Sequence, residues 1–313
     1  MPTAMGRKTS DAAVTELPHA VEGEMTALVR VVGGLITVML LAAVLAGLWR
    51  GLTSQQGLLT DVINGLTASE VGFATILILL GSLVEGFGYG LSLGTRWPYT
   101  RNIAVLMVRG DPEAAHRMVA TLVGLVALAL VILSPSVTTI SGLSLVVVTA
   151  LFGMGTLYVL AGRAPAFVHG THGLLAYGVF LIYLTDIVYP GVSFLTYLGV
   201  TSALHALLLA IFLGGMTTGQ RGFGTPIGPF VKPQKASQWT IAAHISAALL
   251  LVATLGWMMP AYPVAFYLAV TQVAVGFLLS HAVNLKPKAP GVLVAFHQSM
   301  VLLMCLAIVL QWR

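Results

Sequence analysis

Four histidines recur at regular intervals in an otherwise apolar chain: His116, His172, His244 and His297. Each stands early in a long apolar segment, and the four segments are alternate ones. Alternate spans start from the same membrane face, so each imidazole lies within about two helical turns of that face. An ionisable side chain inside a bilayer is costly and marks a candidate functional site. Histidine is a common axial ligand of haem iron, and bundle cores house cofactors between facing helices. Two histidines per four helices suit one bis-histidine haem, whereas a bare zinc or copper site favours i, i+4 histidine pairs or adjoining carboxylates. The competing reading is that each imidazole is a hydrogen-bonding group between helices. Repetition of the pattern weighs against it.

The elements that position these residues follow from composition. Of 313 residues, 58% are hydrophobic and only 8% charged, with mean hydropathy +0.95. A water-soluble domain carries roughly 25% charged residues, so lipid must be the main solvent here. The net charge of +5 comes from 15 Lys and Arg, most of them between apolar segments. That placement suits anionic headgroups and topology rather than nucleic acid. A spanning helix needs about 20 apolar residues, and nine segments qualify: 28–50, 71–94, 114–134, 139–161, 166–188, 194–215, 238–259, 262–284 and 291–311. Open strands cannot span a bilayer. The expected fold is therefore an all-α polytopic membrane protein of the cell membrane, with no separate soluble domain.

The offsets point to duplication. His116 and His244 are 128 residues apart, His172 and His297 are 125, Gly81 and Gly214 are 133, and Gly153 and Gly276 are 123. Two repeated four-helix units are expected, at 71–188 and 194–311. A tail at 1–27 and an extra span at 28–50 precede them. The tail mixes Arg7 and Lys8 with Asp11, Glu16, Glu22 and Glu24, unlike a signal peptide, so the span is read as a retained helix.

One stretch joins a carboxylate to a histidine: Asp111-Pro112-Glu113-Ala114-Ala115-His116-Arg117. Locally it reads as a helix start, with Asp111 as N-cap, Pro112 at the first position and Glu113 favoured by the helix dipole. The spacing also sets Glu113 one turn before His116 on the same face. His169, one turn before His172, is an alternative to it; His205 and His281 read as packing or polar-network residues, and His19 as solvated. The single cysteine, Cys305, lies in an apolar run and cannot form an internal disulfide.

The Glu-x-x-His-Arg opening at 113–117 resembles the second core helix of the heme A synthase family. The stretch Gly81 to Ser92, followed by Trp97-Pro98, is similar to that family's glycine-rich first core helix and its Trp-Pro loop. Gly214-Gly215-Met216-Thr217 resembles the same feature in the second copy; Gln272 to Gly276, Pro290 and His297-Gln298 resemble the last hairpin, and Pro165 before His172 its counterpart. The likeness covers about residues 70–311. Three departures are visible. No cysteine pair stands in the loop 95–113, Glu85 replaces the Arg common after the first glycine motif, and the span 28–50 is additional.

The resemblance implies an oxidoreductase that converts a methyl group of heme O to formyl. It would do so by two O₂-dependent, monooxygenase-like hydroxylations and loss of water, for terminal oxidase assembly. By position, His244 and His297 would hold a resident heme b, His116 and His172 would face the substrate haem, and Glu113 would be the catalytic group. Arg117 would meet haem propionates, with Arg96, Arg101, Arg163 and Arg221 as further candidates. Heme O synthase and the oxidase are expected partners; the electron donor is not indicated. Lys and Arg cluster on the histidine face, which the positive-inside rule places in the cytoplasm, whereas the resemblance places it outside. The alternative is a bis-histidine b-type cytochrome exchanging electrons with quinone. It accounts for the histidines but gives Glu113 no role.

Overall fold

The computed structural model describes residues 57–98, 102–229 and 231–312. The expected tail at 1–27 and the extra span at 28–50 lie outside them. Among the described residues the chain is all-helical: α1 (Leu58–Gly86), α2 (Ile103–Val108), α3 (Pro112–Leu133), α4 (Val137–Leu160), α5 (Phe167–Val188), α6 (Phe194–Val200), α7 (Ser202–Arg221), α8 (Ala236–Trp257), α9 (Pro263–Leu285) and α10 (Leu293–Gln311). All but the short α2 and α6 are long and apolar enough to cross a bilayer, eight in all. The chain is thus a multi-pass, membrane-embedded helical protein.

Two spans depart from expectation. The first begins at Leu58 instead of 71, because its polar residues do not leave the helix. Thr67 and Ser69 donate to the carbonyls of Ile63 and Gly65 one turn back, which satisfies the hydroxyls without water. It ends at Gly86, not 94. Gly88 then adopts φ +75°, and a Cβ there would come within 2.6 Å of the Lys288 carbonyl oxygen. The segment expected as one span at 194–215 is α6 and α7, broken at Thr201. Thr201 is extended beyond helical geometry (φ −108°, ψ 83°), and its hydroxyl donates to the Tyr197 carbonyl at 2.8 Å. The helix regained at Ser202 runs on to Arg221.

Packing sets α1 against α3 and α5, α3 against α4, and α4 against α5; likewise α7 against α8, α8 against α9, and α9 against α10. The two sets meet where α5 crosses α7 and α10 lies on α1. These four central helices are the most buried. Small residues allow the α5–α7 approach: Ala166 and Gly170 face Gly215 and Gly219, and a Cβ on Gly215 would lie 2.9 Å from the Gly170 Cα. Small residues four apart on both helices are the usual device for close packing in lipid, where no hydrophobic force drives helices together. At the other seam the Gly291 N–H donates to the Gly86 carbonyl at 2.7 Å.

Candidate functional site

The four histidines share one local geometry. His116 of α3 lies over Gly81 of α1, and a Cβ on that glycine would be 3.2 Å from the ring Cε1. His172 of α5 lies over Gly153 of α4 at 3.0 Å, His244 of α8 over Gly214 of α7 at 3.2 Å, and His297 of α10 over Gly276 of α9 at 3.6 Å. Each glycine lets an imidazole rest on the backbone of the adjoining helix. Nδ1 is then fixed from the same helix, four residues before the glycine. Leu77 O lies 3.0 Å from His116 Nδ1, Thr149 O 3.1 Å from His172 Nδ1, and Ala210 O 2.8 Å from His244 Nδ1. At His297 the corresponding position is Gln272, whose side-chain Nε2 lies 3.0 Å from Nδ1 and also donates to the His297 carbonyl at 2.9 Å.

A backbone carbonyl only accepts, so Nδ1 of His116, His172 and His244 carries the proton and donates it. Nε2 is left as the lone-pair atom, the arrangement by which proteins orient and strengthen an imidazole as a metal ligand. All four histidines are half-buried residues of helices that lie in the bundle. The His244 and His297 rings face one another with centroids 6.4 Å apart at 57°. His116 and His172 stand on α3 and α5 of the first set. His169 does not share the pattern: it has no such glycine, and its Nδ1 is buried without a hydrogen-bond partner.

Glu113 is buried in the first turn of α3. Asp111 caps that helix by accepting from the Ala114 N–H at 3.0 Å, with Pro112 at the first position, as expected. The Glu113 carboxylate is fully engaged. Oε2 accepts from the Ser92 hydroxyl at 2.9 Å and from the Leu93 N–H at 3.1 Å, while Oε1 is ion-paired with Arg117 one turn on. Arg117 Nη1 donates to the carbonyls of Arg96, at 2.5 Å, and Pro98, at 3.4 Å. The loop after α1 is therefore clamped onto the start of α3, and Glu113 is held at one position beside His116.

The other candidates scatter. Arg221 is buried; its guanidinium meets Glu85 Oε1 at 3.4 Å and the Pro287 carbonyl at 3.2 Å, and Glu85 Oε1 also accepts from Thr218 at 2.8 Å. Arg221 and Glu85 thus tie α7 to α1. Arg96 and Arg163 are exposed, and Arg101 lies outside the described residues. His205 and His281 are exposed rather than packed, each within a turn of a helix end. Among the described residues no group of three or more His, Cys, Asp or Glu converges as a metal site. A shallow cavity of about 200 Å³ at Pro260, Ala261, Pro263, Leu310 and Gln311 presents no titratable side chain. Sequence reasoning gave Gln272 no part in holding His297; its place four residues before Gly276 is the signal that finds it. Comparison with the models of known protein families, with curated proteins and with solved structures finds no match.

Proposed function

We propose that this chain is a heme A synthase of the cell membrane, an oxidoreductase converting heme O to heme A for a terminal oxidase. The observation that carries the reading is the fourfold imidazole geometry, one pair of which has a fixed carboxylate and the other none. In this reading α1 and α3–α5 form one unit and α7–α10 its repeat. Glu85 and Thr218, 133 residues apart like Gly81 and Gly214, meet where the two units join.

The second unit would hold heme b between His244 and His297. The donor set fits. The two imidazoles, with ring centroids 6.4 Å apart, would supply two nitrogen donors to the haem iron. When bound, that haem would supply one-electron redox chemistry. The first unit would take heme O as substrate between His116 and His172, with O₂ as co-substrate. There Glu113, oriented by Ser92, Leu93 and Arg117, would be the acid–base or electrostatic group beside the reacting methyl. Arg117 would position Glu113, and contacts to propionates would fall to its remaining edge and to Arg96.

One observation favours a bis-histidine b-type cytochrome exchanging electrons with quinone: the Glu113 carboxylate is already filled by partners from its own chain. A single experiment separates the readings. The chain is co-expressed with a heme O synthase, and its haems are extracted and weighed by mass spectrometry. Heme A or its hydroxylated precursor is the expected product. Heme b alone, with electron transfer to quinone, would replace the first reading by the second, and a chain free of haem would end both.

A further inference from the structure

The membrane half away from the histidines contains a buried acid that none of the above uses. Glu70 lies in the middle of α1 with no exposed surface, and neither carboxylate oxygen has a hydrogen-bond partner among the described residues. It stands eleven residues before Gly81, and Tyr183 of α5 stands eleven residues beyond His172. At 1.5 Å per residue both are about 16 Å from the histidine layer, on helices that pack together. Tyr183 is also fully buried; its hydroxyl has no partner, and a Cβ on Gly142 of α4 would collide with it. The buried Thr185 hydroxyl is unpartnered too. Asp186, one turn beyond Tyr183 on α5, is half-buried near the end of that helix.

Among the described residues, countercharge is lacking. Among the described helices, α1 packs against α3, α5 and α10. On these and on α1 itself, the titratable groups are Asp61, Glu85, Glu113, His116, Arg117, His169, His172, Tyr177, Tyr183, Asp186, His297 and Cys305. Arg117 is the sole cation side chain on these four helices, and it is committed to Glu113 at the histidine end. An ionised carboxylate in that setting would cost far more than a neutral one, since neither hydrogen bonds nor an ion pair would offset its lost hydration.

We propose that Glu70 is a proton-binding site, held as the neutral carboxylic acid and exchanging its proton with the membrane face away from the histidines through Tyr183 and Asp186. One proton enters from water at that face and one carboxylate charge is removed; no other reactant is needed. The proposal is independent of what the histidines bind.

Infrared difference spectroscopy of the full chain in lipid vesicles, in H₂O against D₂O, reads it directly. A neutral carboxyl carbonyl band that shifts on exchange is expected, and it should be absent from Glu70→Gln. An unchanged band in that variant would overturn the proposal. Should Glu70→Gln fail to fold, the wild-type chain is treated with dicyclohexylcarbodiimide, which adds to protonated membrane carboxyls, and mapped by mass spectrometry. Labelling at Glu70 that sodium chloride does not suppress is the supporting result. Absence of label there overturns the proposal, and so does protection by sodium, which would make the site one for a metal cation.

Discussion

The histidine sites of the two helical sets differ in what surrounds a common frame. Both present two imidazoles over glycines of neighbouring helices. In the first set, His116 has Glu113 one turn before it and Arg117 next to it in sequence, and a loop closes over that ion pair. Shifting by the 128 residues that separate His116 from His244 puts Ile241 and Ile245 at those positions. An imidazole pair with no carboxylate one turn away can hold and tune a bound group. One with a buried, oriented carboxylate can also act on a charge or a proton. The frame is common to both; the chemistry is a local addition at the start of one helix.

The comparison breaks most readily at the histidines. Under the proposed function, His244→Ala or His297→Ala should lower the haem-to-protein ratio at least tenfold, since each variant would remove one of the two nitrogen donors. His116→Ala or His172→Ala should leave most bound haem in place and remove heme A formation. Equal loss from all four, measured by absorbance of purified protein, would mean that the two sites are alike. Next in size is the carboxylate. Glu113→Ala should abolish heme A while heme b stays bound, and it should also leave Arg117 as a buried unpaired charge. Removing one partner of a buried ion pair costs about 3–5 kcal/mol, so a lowered thermal midpoint is expected alongside. Glu113→Gln, which keeps one carbonyl oxygen for Ser92 and Leu93 but turns an amide N–H toward Arg117, should recover only the share of that stability due to those two hydrogen bonds, and none of the heme A. Heme A made by Glu113→Gln would remove the role in catalysis.

How much of this is visible in the sequence depends on whether the residue or its partner is the informative one. Asp111 and Pro112 announce a helix start, because capping is local chemistry. The glycines and histidines announce each other by repeated offsets. The acceptors for Nδ1 do not, since Leu77, Thr149 and Ala210 act through backbone carbonyls that any residue carries. Polar composition misplaced the start of α1 and the end of α7. Thr67 and Ser69 are satisfied within their own helix, while Arg221 is matched by Glu85, 136 residues away. A pairing of that range leaves no trace in local hydropathy. Glu85, which departs from the expected Arg, is explained only once α7 is seen to bring a cation to it.

Smaller effects should grade with distance at the glycines. An alanine Cβ would meet His172 Cε1 at 3.0 Å from position 153, but His297 Cε1 at 3.6 Å from position 276. Gly153→Ala must push its ring, whereas Gly276→Ala makes ordinary contact and gains up to about 1 kcal/mol of helix propensity. Gly276→Ala should therefore fold at least as stably as the parent with an unchanged haem spectrum, and Gly153→Ala should not retain substrate haem. The reverse order would show that the rings are not seated as described.

Gln272 is the finest control, because it alone among the four Nδ1 partners is a side chain. For Nε2 of His297 to bind metal, Nδ1 must carry its proton, so the amide must present Oε1, the atom now without a partner, to that nitrogen. Gln272→Glu would put a full charge there, make the imidazole a stronger donor and lower the haem midpoint potential. Gln272→Leu would remove the acceptor, raise the potential and weaken haem retention by about 10-fold, the lower end for loss of such an outer partner. Opposite signs in a redox titration of the two variants would separate a hydrogen bond from packing, since both side chains resemble glutamine in size. Shifts of the same sign would mean that residue 272 only fills space, and the second site would then lack the orienting bond that the other three histidines have.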